Sequence, residues 1–165
     1  MELEIIKHSD ISQEELLRVI AIKNAAWPHP LESQLNWIEE NQRPDDLHVI
    51  LKEGADDYAY MDLCPVTANV DGQNVAFMGV GNVCAKTKGQ GHGGILISRV
   101  NDYLKENNLR GLLFCKEHVI GFYNHYDWKV IPDKRITIVG SEHEVYSMTY
   151  NMPSFHKMSY NNRQF

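Results

Sequence analysis

Val83-Cys84-Ala85-Lys86-Thr87-Lys88-Gly89-Gln90-Gly91-His92-Gly93-Gly94 is the stretch on which the reading of this chain turns. It begins at the end of an alternating, strand-like segment. It ends where Ile97, Val100 and Leu104 set up a helical period at i, i+3 and i+7. Glycines at this junction let the backbone turn sharply and present successive N–H groups with no Cβ atoms in the way. The helix start behind them adds the positive end of its dipole, and Lys86 and Lys88 add cationic charge. Such a loop suits a phosphate or pyrophosphate; the plainer alternative is a simple strand-to-helix link.

Gly89-x-Gly91-x-x-Gly94 satisfies the dinucleotide-binding spacing, and Glu117 stands where a ribose-binding carboxylate could be sought. That fingerprint belongs on the first βα turn of a repeated βαβ sheet. Here it lies past mid-chain, with one βαβ unit available. A nucleoside triphosphate loop fits less well, because no Gly-Lys-Ser/Thr follows the glycines.

Upstream, residues 58–70 and 73–85 read as two long strands joined by Asp71-Gly72. This dipeptide favours a two-residue type I′ turn, in which both central residues need positive φ. Earlier still, residues 3–7 read as a strand. Ser12-Gln13-Glu14-Glu15 fits a capping box opening a helix that points Leu16, Leu17, Ile20 and Ala21 to a core. That helix should stop before Pro28, and a second should begin near Pro30 with Leu31, Leu35 and Ile38 on its apolar face. His48 to Leu51 reads as a further strand. Downstream, Asn107-Asn108 should stop the glycine-loop helix, and Leu112-Leu113-Phe114-Cys115 reads as a buried strand. A short helix over 119–126 and a closing hairpin of strands near 135–139 and 144–150 complete the core. The chain thus reads as one domain over 1–152, followed by a polar and aromatic, loosely held tail over 153–165.

Composition narrows the function. With 165 residues, 43% hydrophobic and 23% charged, the chain can bury a sizeable core without a disulfide or metal staple. Acidic residues number 22 against 16 basic ones, a net charge of −6. This argues against nucleic acid or anionic membrane as partner and mildly favours cationic ligands. Cys64, Cys84 and Cys115 form no CxxC pair, and no signal-peptide pattern or long apolar run occurs. A cytoplasmic protein is expected. The histidines show no HExxH or Cys/His ligand spacing, so no metal is expected.

The order of elements, together with particular residues, resembles the GCN5-related N-acetyltransferase (GNAT) family. The family's acyl-CoA loop has Arg or Gln, two residues, Gly, one residue, then Gly or Ala, with a valine five residues ahead. Lys88-Gly89-Gln90-Gly91-His92-Gly93 and Val83 match it except at Lys88. The family's second signature, an apolar strand and then a phrase like Phe-Tyr-x-x-x-Gly-Phe, is similar to 112–115 followed by Phe122-Tyr123-Asn124-His125-Tyr126-Asp127-Trp128. Asp127 replaces a frequent glycine, and Lys116 stands where an asparagine often contacts the cofactor. The likeness is clearest over residues 75–130.

The resemblance implies an α/β (α+β) fold: a mixed, mostly antiparallel central sheet with a splayed pair of parallel strands and helices on both faces. It implies acetyl-CoA as acyl donor, held by Asn82, Val83, Cys84, Lys88, Gly89, Gln90, Gly91, His92, Gly93 and Gly94. The strand at 81–84 would bulge away from 111–115, pantetheine would lie in the opening, and a backbone N–H near Val83 would polarise the thioester carbonyl. Tyr123 would protonate the departing thiolate, although it also fits as a core aromatic. Glu117, His118, Asp62, His125 or a water chain could take the amine proton. Cys115 reads most simply as a small core residue.

The acceptor would be an amine of a small molecule or peptide, with a homodimer left open. Trp27, Trp37, Tyr58, Tyr60 and Trp128 could wall its pocket. Glu39, Glu40, Asp45, Asp46, Asp56 and Asp57 would suit a cationic amine. The alternatives are a non-catalytic acyl-CoA sensor and a dinucleotide-binding protein using the same glycines.

Overall fold

A computed structural model of the chain describes residues 1–140 and 145–165. The strands are β1 (Glu2–Lys7), β2 (Leu47–Glu53), β3 (Asp56–Val70), β4 (Gln73–Ala85), β5 (Gly111–Cys115), β6 (Lys129–Val130), β7 (Ile136–Ile138), β8 (Tyr146–Tyr150) and β9 (Met158–Tyr160). The α-helices are α1 (Gln13–Ala26), α2 (Leu31–Asn41), α3 (His92–Glu106) and α4 (Ile120–His125). Hydrogen-bonded neighbours follow the order β1-β2-β3-β4-β5-β8-β6, with β9 pairing both β3 and β7. Most pairs are antiparallel; β4/β5 and the short β7/β9 are parallel. The fold is therefore mixed α+β with a mostly antiparallel sheet, as expected.

Local chemistry explains the element ends. The Ser12 N–H donates to Glu15 Oε2 at 2.8 Å while the Glu15 N–H donates to Ser12 Oγ at 3.2 Å, completing the capping box. Asp71 and Gly72 both take positive φ, 49° and 86°, as a type I′ turn demands. Asn108, at φ 53°, follows α3 in left-handed geometry.

Two compact units make up the chain. The first comprises residues 1–64, 81–100 and Phe165. Val19 and Ile22 of α1, Ile50, Tyr60 and Cys84 form a buried cluster there, with Ile6, Ile11 and Ala26 packed against it. The inward face of α1 is thus 19, 22, 23 and 26, at i, i+3, i+4 and i+7. Ile20 is buried as expected, but Leu17 is exposed and Ala21 also faces out. Arg18 holds α1 to the sheet by donating to both Glu4 (2.6 Å) and Asp57 (2.7 Å). On α2 the expected apolar face is corrected as well. Ile38 is buried, but Leu31 and Leu35 are exposed, and Gln34 takes the inward position one turn before Ile38.

The second unit comprises residues 65–80 and 101–164. β4 and β5 share only two register pairs, Met78↔Gly111 and Gly79↔Leu112. β5 then pairs fully with β8. Among the described residues the expected closing hairpin is replaced by other pairings: β8 pairs β5 and β6, whereas β7 pairs β9. Residue 144, the expected start of the last strand, lies outside the described residues. The loosely held tail is corrected too, because Met158 and Tyr160 are buried in β9. The Asp71 carboxylate accepts the N–H groups of His156 (3.0 Å) and Lys157 (2.8 Å), which seats this strand beside the hairpin.

Candidate active site

In the first unit the glycine loop connects β4 to α3. Gly89 and Gly91 adopt φ of 78° and 77°, and a Cβ on either would meet no atom within 4 Å. The loop therefore needs glycine twice, for conformation, and leaves both Cα faces open. Gly93 and Gly94 already belong to the first turn of α3, where Gly94 and Ile95 donate to the Gly91 carbonyl. The other N–H groups of a first helical turn have no intrahelical acceptor, which suits them to an anion. Lys86, Lys88 and Gln90 are exposed, and the His92 ring lies 4.7 Å from that of Tyr58.

The strand feeding this loop is irregular where a bulge was expected. Asn82 takes φ 51°, a left-handed residue inside β4. Val83 is half-buried, so it is not a fully packed core valine. The Cys84 side chain belongs to the core cluster, and burial pushes its thiol up to about 12. Any contribution of Cys84 to a ligand must come from its backbone. A Cβ on Gly81 would stand 2.6 Å from the backbone carbon of Phe165, so that residue now covers this part of β4.

Beside Asn82 lies a directed chain of buried polar groups. Tyr60 Oη donates to Asp62 Oδ1, so its oxygen accepts from His48 Nδ1 at 2.7 Å. His48 Nε2 then accepts from His8 Nδ1 at 2.9 Å. The Asn82 amide and Gln42 Nε2 (2.9 Å) both donate to Asp62 Oδ2. Burial holds His48 below the ordinary histidine range and pushes the Tyr60 phenol well above its own. Asp62 thus has both oxygens engaged and serves as an anchor for Asn82.

Asn82 also lines a cavity of about 360 Å³ between α1 and α2. Trp27 and Trp37 give it indole walls, and Lys23, His29, Ser33 and Gln34 give it polar groups. The expected aromatic walls are otherwise corrected: Tyr60 is committed to the buried chain and Trp128 is fully buried in the other unit. The expected acidic lining is corrected in part. Asp45 pairs with Lys7 at 2.8 Å, Asp57 with Arg18, and the buried Asp46 accepts the Arg43 N–H at 2.8 Å.

Tyr123, Glu117 and His118 belong to the second unit. Tyr123 is buried on α4, with its ring edge-on to Phe122 (5.1 Å) and Trp128 (6.2 Å). Burial pushes its phenol up to about 12. Glu117 and His118 are exposed on a 3₁₀ turn, and His125 is exposed at the end of α4. Asp127 sits at φ 64° and supplies the left-handed residue for which a glycine is more usual. Cys115 is a buried thiol 3.9 Å from Met148 Sδ, raised by burial, and unsuited to a nucleophile's role. Among the described residues, no group of three His, Cys, Asp or Glu could hold a metal ion, and no helix is long and apolar enough to cross a membrane.

Two features escaped the sequence reading. Lys23 falls four residues after Val19, on the inward face of α1. His48, Tyr60 and Asp62 occupy in-phase positions of two neighbouring strands, with His48 directly opposite Asp62. In-phase polar residues on otherwise apolar strands were the available signal.

No protein-family model and no curated protein matches the chain. Solved structures do. An acyl-CoA N-acyltransferase from Pseudomonas aeruginosa superposes with a TM-score of 0.61 at 15% identity, covering 91% of this chain and 99% of that one. An aminoglycoside 6'-N-acetyltransferase complexed with coenzyme A gives 0.62 at 12% identity, covering 93% and 99%. A GNAT family acetyltransferase from Brucella melitensis in complex with acetyl-CoA gives 0.55 at 14% identity, covering 97% and 96%. The fold is shared with these N-acyltransferases.

Proposed function

We propose that this chain is a GNAT-type N-acyltransferase that moves an acetyl group from acetyl-CoA to a primary amine of a small molecule or peptide. The observation carrying this reading is the junction of β4 and α3. Left-handed Gly89 and Gly91, with open Cα faces, lead straight into a helix N-terminus, behind a strand whose backbone turns left-handed at Asn82. Solved structures of the same fold contain coenzyme A or acetyl-CoA, which supports the reading.

In this reading the amides of 89–93 hold the pyrophosphate, with Lys88 as an accessory charge; the Gly94 N–H is already given to the Gly91 carbonyl. Backbone groups of 82–84 face pantetheine and the thioester, and the Val83 N–H polarises its carbonyl. Phe165 must move from Gly81 for a ligand to lie along that strand. The neutral amine attacks the carbonyl carbon, the C–N bond forms, the C–S bond breaks, and the sulfur leaves as thiolate. Tyr123 serves the sulfur. A phenol near 12 is a weaker acid than a thiol near 8.5, so Tyr123 acts mainly by donating a hydrogen bond to the thiolate. Glu117, His118 and His125 remain the base candidates with free access to solvent. Asp62 could accept a proton only by giving up one of its donors.

The test is calorimetric titration with CoA, followed by thiol release from acetyl-CoA over a panel of amines. CoA binding together with amine-dependent thiol release supports the reading. Binding without turnover would make the chain an acyl-CoA-binding domain, and binding of a dinucleotide in place of CoA would overturn it.

A further inference from the structure

α1 buries a lysine against its own packing face. Lys23 is 4% exposed, and its side chain reaches the cavity between α1 and α2. Its Nζ lies 4.1 Å from the centroid of the Trp37 ring, a cation–π contact that orients the ammonium without neutralising it. Among the described residues, no carboxylate lies within ion-pair distance of it. Asp62 acts on Lys23 only through space, because both its oxygens are taken by Tyr60, Asn82 and Gln42. A buried cation without an ion-pair partner in contact is costly unless something supplies one. The surroundings suit an organic anion. Trp27 and Trp37 are flat apolar walls exposed to the cavity, and Ser33 and Gln34 offer polar contacts at its rim. The volume, about 360 Å³, suits one compact molecule.

We propose that this cavity receives the acceptor by its carboxylate, paired to Lys23 between the two indoles, so that the acceptor is an amine bearing a carboxylate and an apolar or aromatic body, as an amino acid does. The proposal rests on the N-acyltransferase reading for the word acceptor, but the anion site itself does not. Asn82 ties the two together. It lines the cavity and precedes Val83, whose N–H is assigned to the thioester carbonyl. Burial holds the Lys23 amine below the ordinary lysine range, and a carboxylate at Nζ would offset that burial. The ligand charge expected here is opposite to the one suggested by the chain's acidic balance.

The test separates binding from turnover. Tryptophan fluorescence of the full chain is titrated with phenylacetate, phenylacetamide and phenethylammonium. Phenylacetate is expected to bind at least tenfold more tightly than either of the others, and Lys23→Met should abolish that preference. Equal affinities, a preference for the ammonium, or no binding of any probe would overturn the anion site. The wild-type ranking decides even if Lys23→Met does not fold. Thiol release from acetyl-CoA is then compared for phenylalanine, phenylalaninamide and phenethylamine, with phenylalanine expected to lead by at least tenfold. Turnover without that preference overturns the acceptor assignment and leaves acyl transfer standing. Selective phenylacetate binding with CoA binding but no turnover on any amine overturns acyl transfer and leaves the anion site standing.

Discussion

Gly91→Val puts the proposed pyrophosphate site at risk in a way that separates ligand loss from damage to the fold. Gly91 sits at φ 77°, and a Cβ placed on it would find no atom within 4 Å, so the Cβ itself would clash with nothing in the free protein. The cost to stability from the Cβ is then the left-handed strain, about 1–2 kcal/mol. For a domain of this size that lowers Tm by about 2–8 °C. The cost to the ligand is larger, because the branched side chain would occupy the open face where phosphate oxygens meet the loop amides. Hydrogen bonds to charged groups contribute about 1.5–3 kcal/mol each, so losing two predicts at least a hundredfold weaker CoA binding by calorimetry. Gly54→Val is the matched control. It has φ 60° and equally open space, but lies in the turn between β2 and β3. It should cost similar stability and leave CoA affinity unchanged. Lys88→Ala should weaken binding less than Gly91→Val, since it removes one exposed charge and keeps every amide. A folded Gly91→Val protein that binds CoA like wild type would refute the site assignment, whatever its thermal stability.

Three further outcomes are expected. Tyr123→Phe, which removes one hydrogen bond to the developing thiolate, should lower the single-turnover rate about 10–10²-fold with CoA affinity unchanged, while Tyr126→Phe should be nearly silent; with the phenol near 12, no falling limb due to Tyr123 should appear in the pH–rate profile below about pH 11. Gly111→Ala should destabilise the fold by about 1–3 kcal/mol in urea unfolding, because a Cβ there would stand 2.4 Å from the buried Trp128 ring, itself pinned by its Nε1–H to Asn101 Oδ1 at 3.0 Å. His48, buried with its pKa lowered, binds fewer protons folded than unfolded; its contribution is intact above about pH 6.5 and is lost as pH falls from there toward the lower folded value. A stability–pH slope in that window that persists unchanged in His48→Gln would remove His48 as its source.

The sequence was most legible where short-range chemistry decides the conformation. Ser12 and Glu15, Asp71-Gly72, and the glycines at 89 and 91 each act within a few residues, and each appears as expected. Legibility failed where distant partners decide. β9 is three residues long and exists because β3 and β7 pair with it and the Asp71 carboxylate takes two of the N–H groups just ahead of it. No local pattern at 153–165 announces that. The apolar spacing of Leu31, Leu35 and Ile38 was real, but the helix is turned so that Gln34 faces inward and donates to the Trp27 carbonyl at 3.1 Å. Asp127 shows the converse: its left-handed backbone meets the requirement of a glycine position with a residue whose short polar side chain tolerates it.

Charge was the least legible property, because counting acids says nothing of which are already engaged. Asp45, Asp46 and Asp57 looked like a lure for a cationic amine, yet each is tied to Lys7, the Arg43 amide or Arg18. Asp62, whose charge acts on Lys23 through space, is saturated by three donors. What is left at the cavity is a lysine that the acidic composition would never have suggested. A net charge describes the long-range field, which steers approach; selectivity inside a cavity follows from the few groups whose charge is not already answered. On that ground the acidic surface and a carboxylate-bearing acceptor are compatible, and the second follows from Lys23 rather than from the first.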